Sequence, residues 1–224
     1  MDERMNRKTI LRTIWITLSV ILILGISVFG ILSFCAPATM MDLSSSLGLT
    51  GISGDYAYQE YLQSGDIDCL AHAFETAAVS GRDQAASVRF DALYENEGFD
   101  AYCREQDEKS YAGAPKLVYR SYVCGLAVEV KYRLSTTDEE RSEVSSFALK
   151  ETKSDFPASN PMYVLANMAA ERKDAGFCAT LAELLKNSNK FGILRSEASL
   201  PEEEQSDGYL RYQKTIEVLE GIES

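Results

Sequence analysis

The chain has 224 residues, 46% hydrophobic and 25% charged, with 34 acidic against 22 basic side chains and a formal net charge of -12. Such a composition can bury a core, and it excludes collagen, a disordered tail and a disulfide-dense mini-protein. The acidic balance also excludes a nucleic-acid partner, since phosphates require a basic surface.

Residues 13–34 form an uncharged stretch of 22 positions. At about 1.5 Å per residue, a helix of that length crosses the ~30 Å hydrocarbon layer with its backbone satisfied internally. Arg4, Arg7, Lys8 and Arg12 precede it, and no Lys or Arg occurs from Cys35 to Gly81. The positive-inside rule then puts residues 1–12 in the cytoplasm and residues 35–224 outside. The stretch exceeds the usual length of an export signal, so a retained single-span anchor is expected. Two alternatives start from the same residues. Ala36-Pro37-Ala38 has the small-x-small form of a signal cleavage site, and Cys35 invites lipidation although the bulky Phe34 precedes it. A short basic N-terminus, one span and no lipobox fit a protein of a bacterial cell membrane.

Beyond the span, residues 35–54 make a juxtamembrane segment rich in Ser, Gly, Met and Leu, part of which is apolar enough to pack as a short helix. Ser53-Gly54-Asp55 reads as a break, and residues 55–63 as a short helix with Tyr58, Tyr61 and Leu62 on one side. Asp66 is placed to cap the next helix, which carries Leu70, Ala73, Phe74, Ala77 and Ala78 at the spacing of one buried face. Gly81 supplies a left-handed turn. A second helix over residues 82–96 follows, with Ala86, Phe90 and Leu93 in register, closed by Gly98. Two helices joined by a tight Gly turn form an antiparallel hairpin.

Residues 66–98 resemble a tetratricopeptide-type repeat. Gly81 occupies the turn between the helices, and Ala86-x-x-x-Phe90 matches the Ala-x3-Phe of the pattern's second helix. The first helix departs from it: Leu70, Ala73, Phe74 and Ala77 stand where the pattern has Trp, Leu, Gly and Tyr. Gly98 stands where it has Pro. Phe74 in place of the packing Gly implies a different helix crossing. The resemblance covers 33 of 224 residues and implies a binding scaffold.

Further along, residues 98–107 read as a short helix carrying Phe99, Tyr102 and Cys103, and 107–115 as a loop. Residues 117–134 fit a helix through Val118, Tyr122, Leu126, Val130 and Leu134. They also alternate as a strand would, and length decides for helix. Thr136 with Glu139 signals a capping box and a helix through Val144, Phe147 and Ala148 to about residue 153. Two prolines bracket a loop over 155–161. Pro161 opens a helix with Val164, Leu165, Met168 and Ala169. Asp174 caps another with Cys178, Leu181, Leu184 and Leu185. Pro201 and the acids after it start a last helix through Leu210, Ile216 and Leu219. The expected fold is all-α: a transmembrane helix followed by stacked, solenoid-like antiparallel hairpins. Residues 55–196 are its main extracytoplasmic domain, and 197–224 an acidic loop and C-terminal helix.

Catalytic motifs are scarce. His72, the one histidine, lies four residues after Asp68 and three before Glu75, without the three or four converging ligands a metal needs. A nucleophile pair requires Cys103 or another thiol to fold against His72. No nucleophile elbow, P-loop or dinucleotide fingerprint is present. Glu139/Glu140 and Glu202 to Glu204 are adjacent acids at helix starts, a placement that capping explains better than glycosidase chemistry. Outside the cell, Cys69, Cys103, Cys124 and Cys178 permit two disulfides, with buried thiols as the alternative. Tyr58, Tyr61 and Phe74 are candidate partner contacts. The expectation is a non-catalytic, membrane-anchored scaffold that binds another protein, with no cofactor and no metal. An envelope enzyme assembled only in three dimensions, or a small-ligand or cation receptor using the acidic surface, are the competing readings.

Overall fold

An uncharged N-terminal stretch rich in Ile, Leu and Val forms the middle of a long helix, α1 (Asp2–Cys35), in a computed structural model of the chain. The structure describes residues 2–109 and 118–222, with side chains from residue 12 onward. Within α1, Arg12–Cys35 is the one helix among the described residues long and apolar enough to cross a membrane, and none of it is buried. The chain divides into two compact units, Met1–Ala73 and Phe74–Ser224. Twelve α-helices, several short 3-10 turns and no strand make up the described residues.

In the first unit, Pro37 starts α2 (Pro37–Ser46), which packs on α3 (Thr50–Ser64). Here the structure corrects the expected break at Ser53-Gly54-Asp55, because α3 begins at Thr50 and runs straight through it. Ser53 and Gly54 are buried because small side chains let α2 approach, and Ser53 Oγ donates to the Met41 carbonyl at 3.2 Å. The buried face of α3 is therefore Ser53, Gly54, Tyr56 and Ala57, while Tyr58 and Tyr61 are half-exposed and Leu62 is exposed. The unit boundary falls within α4 (Ile67–Val79). Asp66 Oδ1 accepts from the Asp68 backbone N–H at 3.0 Å, as its N-cap reading requires.

The second unit opens with the predicted apolar face of α4: Phe74, Ala77 and Ala78 are buried, and the chain turns at Gly81 with φ +69°. Helix α5 (Asp83–Tyr94) buries Ala86, Phe90 and Leu93. Gly98 does not close it. Instead the Gly98 carbonyl accepts from Tyr102 and opens α6 (Phe99–Lys109). Most of the loop expected at 107–115 lies outside the described residues. Helix α7 (Tyr119–Leu134) resolves the helix-or-strand ambiguity, and its burial explains why the sequence carried both patterns. Packed by α5, α6, α8 and α9, it buries Val123, Cys124, Ala127, Val128, Val130 and Tyr132, which cover more than half of its circumference.

Helix α8 (Asp138–Glu151) has its capping box one residue later than expected. Thr137 Oγ1 accepts from Glu140 N at 3.2 Å, and Glu140 Oε2 accepts from Thr137 N at 3.0 Å. Glu139 takes no part in the box, because with Thr137 as N-cap the reciprocal position falls on Glu140. Those backbone N–H groups, Thr136 first and then Thr137, hold the Glu140 carboxyl below its ordinary pKa. Thr137→Ala is expected to cost about 1 kcal/mol and Thr136→Ala clearly less, read from urea midpoints.

Asn160 caps α9 (Pro161–Glu171) and Asp174 caps α10 (Ala175–Asn187). The last helix, α12 (Asp207–Glu220), starts later than its predicted proline. A five-residue helix, α11 (Gly192–Ser196), precedes it, and Pro201 leads only the 3-10 turn Glu202–Glu204. Extended backbone at Gln205 and a Ser206 cap then set the true start. Gly208 is required there, since a Cβ would lie 2.2 Å from the Asp155 carbonyl oxygen. The core gathers Tyr132, Phe156, Met162, Leu165, Leu181, Leu185, Phe191 and Tyr212 from α7, α9, α10, α12 and the loops between them.

Candidate functional site

Three places combine chemistry with access, and the first is a hollow of about 300 Å³ in the N-terminal unit. It is lined by Met41, Asp42, Ser45, Ser53, Asp68, Cys69 and His72. Ser53 Oγ lies 3.5 Å from His72 Nε2, with Asp68 on the preceding turn of α4, which looks like a hydrolytic triad. The proton count speaks against that. Ser53 has one hydroxyl proton, and the Met41 carbonyl, nearer at 3.2 Å, competes with His72 for it. Cys69 is no better as a nucleophile: burial first, then Asp66, Glu60 and Asp68, pushes its thiol up to about 11. Among the described residues no group of three or more His, Cys, Asp or Glu side chains could hold a metal ion.

The second place is an ionic cluster in the C-terminal unit. Glu151, whose side chain is only 6% exposed, accepts from Arg120 Nε at 2.9 Å and from the Tyr94 hydroxyl at 2.6 Å. Arg120 also pairs with Asp100, and Lys150 Nζ donates to the Tyr94 oxygen at 2.9 Å. Burial alone raises the Glu151 pKa, but the bonds from Arg120 and Tyr94 outweigh it and leave the carboxyl below its ordinary value. Cys124 Sγ lies 3.8 Å from Glu151 Oε2, and burial, then that carboxylate, raises its pKa. Cys103 is pushed up to about 12, chiefly by burial. Glu151 is held by Arg120 and Tyr94 and Arg120 reaches on to Asp100, so the cluster ties α5, α6, α7 and α8 together.

The third place is open. Helices α5 and α8 each lean on α7, and between them runs a groove of about 350 Å³. Phe90 and Tyr94 from α5, Leu134 from α7, and Val144 and Phe147 from α8 form its apolar surface. The rings brace one another. Phe147 meets Phe90 edge-on at 5.7 Å and Tyr94 at 5.6 Å between centroids. Lys131 crosses the groove, 2.8 Å from Asp91 and above the Phe90 ring, while Glu140 and Glu143 line the α8 side. Three acids against one lysine leave the lining net negative.

The residues singled out in the sequence do not converge. Tyr58 and Tyr61 are half-exposed on α3 and stack on each other at 6.2 Å. Phe74 is fully buried against Phe90 and offers no surface to a partner. The five cysteines stand as free thiols, with Cys103, Cys124 and Cys178 buried, Cys69 half-exposed and Cys35 exposed. Sequence reasoning placed Phe90 and Phe147 in apolar stripes but missed the groove. The one available signal was that both α5 and α8 carry an aromatic on the stripe facing α7. No known protein family, curated protein or solved structure matches the chain.

Proposed function

We propose that this protein is a membrane-anchored, non-catalytic helical module that binds another protein through the α5–α7–α8 groove. Helix α1 is its single span, with the basic residues 1–12 on the cytoplasmic side. The hairpin α4–α5, resembling a tetratricopeptide-type unit, begins a stack of helices that displays the groove outside the membrane. The observation carrying this reading is the groove itself: an aromatic-lined channel between two helices, which suits an apolar helix or extended segment. Its acidic lining and the chain's net charge of -12 favour a partner with basic residues beside its apolar anchors.

The test is photocrosslinking in intact membranes with the full-length protein carrying p-benzoylphenylalanine at Ser87, on the groove wall, or at the solvent-exposed Val88 beside it. One defined protein should be captured from position 87, much less from position 88, and lost when Leu134→Glu is added. Equal capture from both positions, unaffected by Leu134→Glu, overturns the groove as the binding surface.

A further inference from the structure

The outer end of α1 is clasped by α3. Ser33 Oγ and the Tyr56 hydroxyl are 2.8 Å apart, Gln63 Nε2 donates to the Phe34 carbonyl at 3.3 Å, and Glu60 Oε2 accepts from Ala38 N at 3.2 Å. The last of these places a carboxylate on a first-turn N–H of α2, where the helix leaves donors unsatisfied and favours negative charge. Three bonds therefore fix residues 56–63 beside residues 33–38. The span Arg12–Cys35 has 24 residues, about 36 Å of helix, slightly more than the ~30 Å hydrocarbon layer. With α1 in the bilayer, Ser33 and Phe34 stand at the boundary between acyl chains and headgroups, and the second half of α3 stands there with them.

What α3 exposes at that level is apolar and aromatic. Leu62 is 65% exposed, Phe34 is 80% exposed, and the stacked Tyr58 and Tyr61 are half-exposed. Leu62 lies away from the face that α3 buries against α2. Tyrosine favours this boundary because its ring is apolar and its hydroxyl wet.

We infer that α3 is a membrane-interface helix, with Tyr58, Tyr61 and Leu62 seated beside Phe34 in the leaflet from which α1 emerges. The inference rests on the reading of α1 as a span. Its occupant is a zwitterionic lipid surface. From Cys35 to Gly81 there is no Lys or Arg, and Asp42, Asp55 and Glu60 accompany the apolar ones, so anionic headgroups are repelled. Tyr58 and Tyr61 are then lipid contacts, separate from the protein-binding groove.

The chain carries its own control in Trp15, its single tryptophan, inside α1. Full-length protein is reconstituted in phosphatidylcholine vesicles with or without bromine near the top of the acyl chains, and indole fluorescence is compared. In the natural sequence, bromine should quench Trp15 and so report the span. With Trp15→Phe and Leu62→Trp combined, the indole at position 62 should emit at shorter wavelength than in water and lose a comparable fraction of its fluorescence to bromine. Trp15→Phe with Tyr61→Trp provides a second probe should the first variant misfold. Quenching of Trp15 without quenching at 61 or 62 overturns the interface helix and returns this face to a protein partner. No quenching of Trp15 overturns the span, and the interface helix with it.

Discussion

Replacing Phe156 by alanine should destabilise the C-terminal unit by about 3–5 kcal/mol, the range for deleting a fully buried phenyl ring. The ring is 0% exposed and meets Tyr163, Phe191 and Tyr212 edge-on, with centroids 6.2, 5.5 and 5.7 Å away. Two of those rings, Phe191 and Tyr212, are themselves buried and pack on each other at 5.3 Å. The backbone adds a second, sharper expectation. Phe156 has φ +48°, the left-handed region, which costs a residue with a Cβ roughly 1–2 kcal/mol. Its carbonyl accepts from Arg211 at 2.7 Å, which helps hold that conformation. At ordinary sites glycine is less stable than alanine by about 0.5–1 kcal/mol. Here the order should invert, with Phe156→Gly about 0.5–1 kcal/mol more stable than Phe156→Ala. Urea unfolding of the detergent-solubilised full chain, followed by helical circular dichroism, checks both. A glycine variant weaker than the alanine variant would show that the backbone at 156 is not strained.

Glu151→Ala should cost about 2–3 kcal/mol, below the 3–5 typical of a broken buried pair because Arg120 is one-third exposed and keeps Asp100. The loss comes mainly from what stays behind: a guanidinium and the Tyr94 hydroxyl without their acceptor. Glu151→Gln preserves shape without charge and should cost less. The pH dependence fixes the sign. A carboxyl whose pKa is lowered by folding contributes stability that is present above its unfolded value, near 4.3, and lost as pH falls through the folded value. The advantage of the natural protein over Glu151→Gln should therefore be constant at neutral pH and shrink in acid below about pH 4.3. An advantage that persists unchanged in acid would mean the carboxylate's charge contributes nothing to the cluster.

Local chemistry was legible in the sequence wherever a single residue's preference decided the outcome. The apolar run behind α1, the Asp66 and Asp174 caps, the Gly81 turn and Pro161 at a helix start depend on neighbours within a few positions, and all stand in the structure where those preferences put them. Where two local solutions were nearly equal, the sequence could not choose. Thr136 and Thr137 each have a Glu three residues on, and a one-residue shift separates the two boxes. Pro201 and Ser206 both suit a helix start, and only the approach of α12 to the Asp155 carbonyl, allowed by Gly208, makes the second one productive. Ser53-Gly54-Asp55 has the composition of a turn, yet it became the contact surface of α3 because small residues also serve close packing. The groove lies further still from the chain's local grammar. Phe90 and Phe147 are 57 positions apart, each an ordinary member of an apolar stripe. Burial favours covering both equally, and it was the placement of α5 and α8 on either side of α7 that left part of those stripes open. Sequence alone located most of the helical segments and the one long and apolar enough to cross a membrane, because those depend on propensity and length. Which faces meet, and which stay exposed, was decided only in three dimensions, where every apolar stripe competes for the same few neighbours.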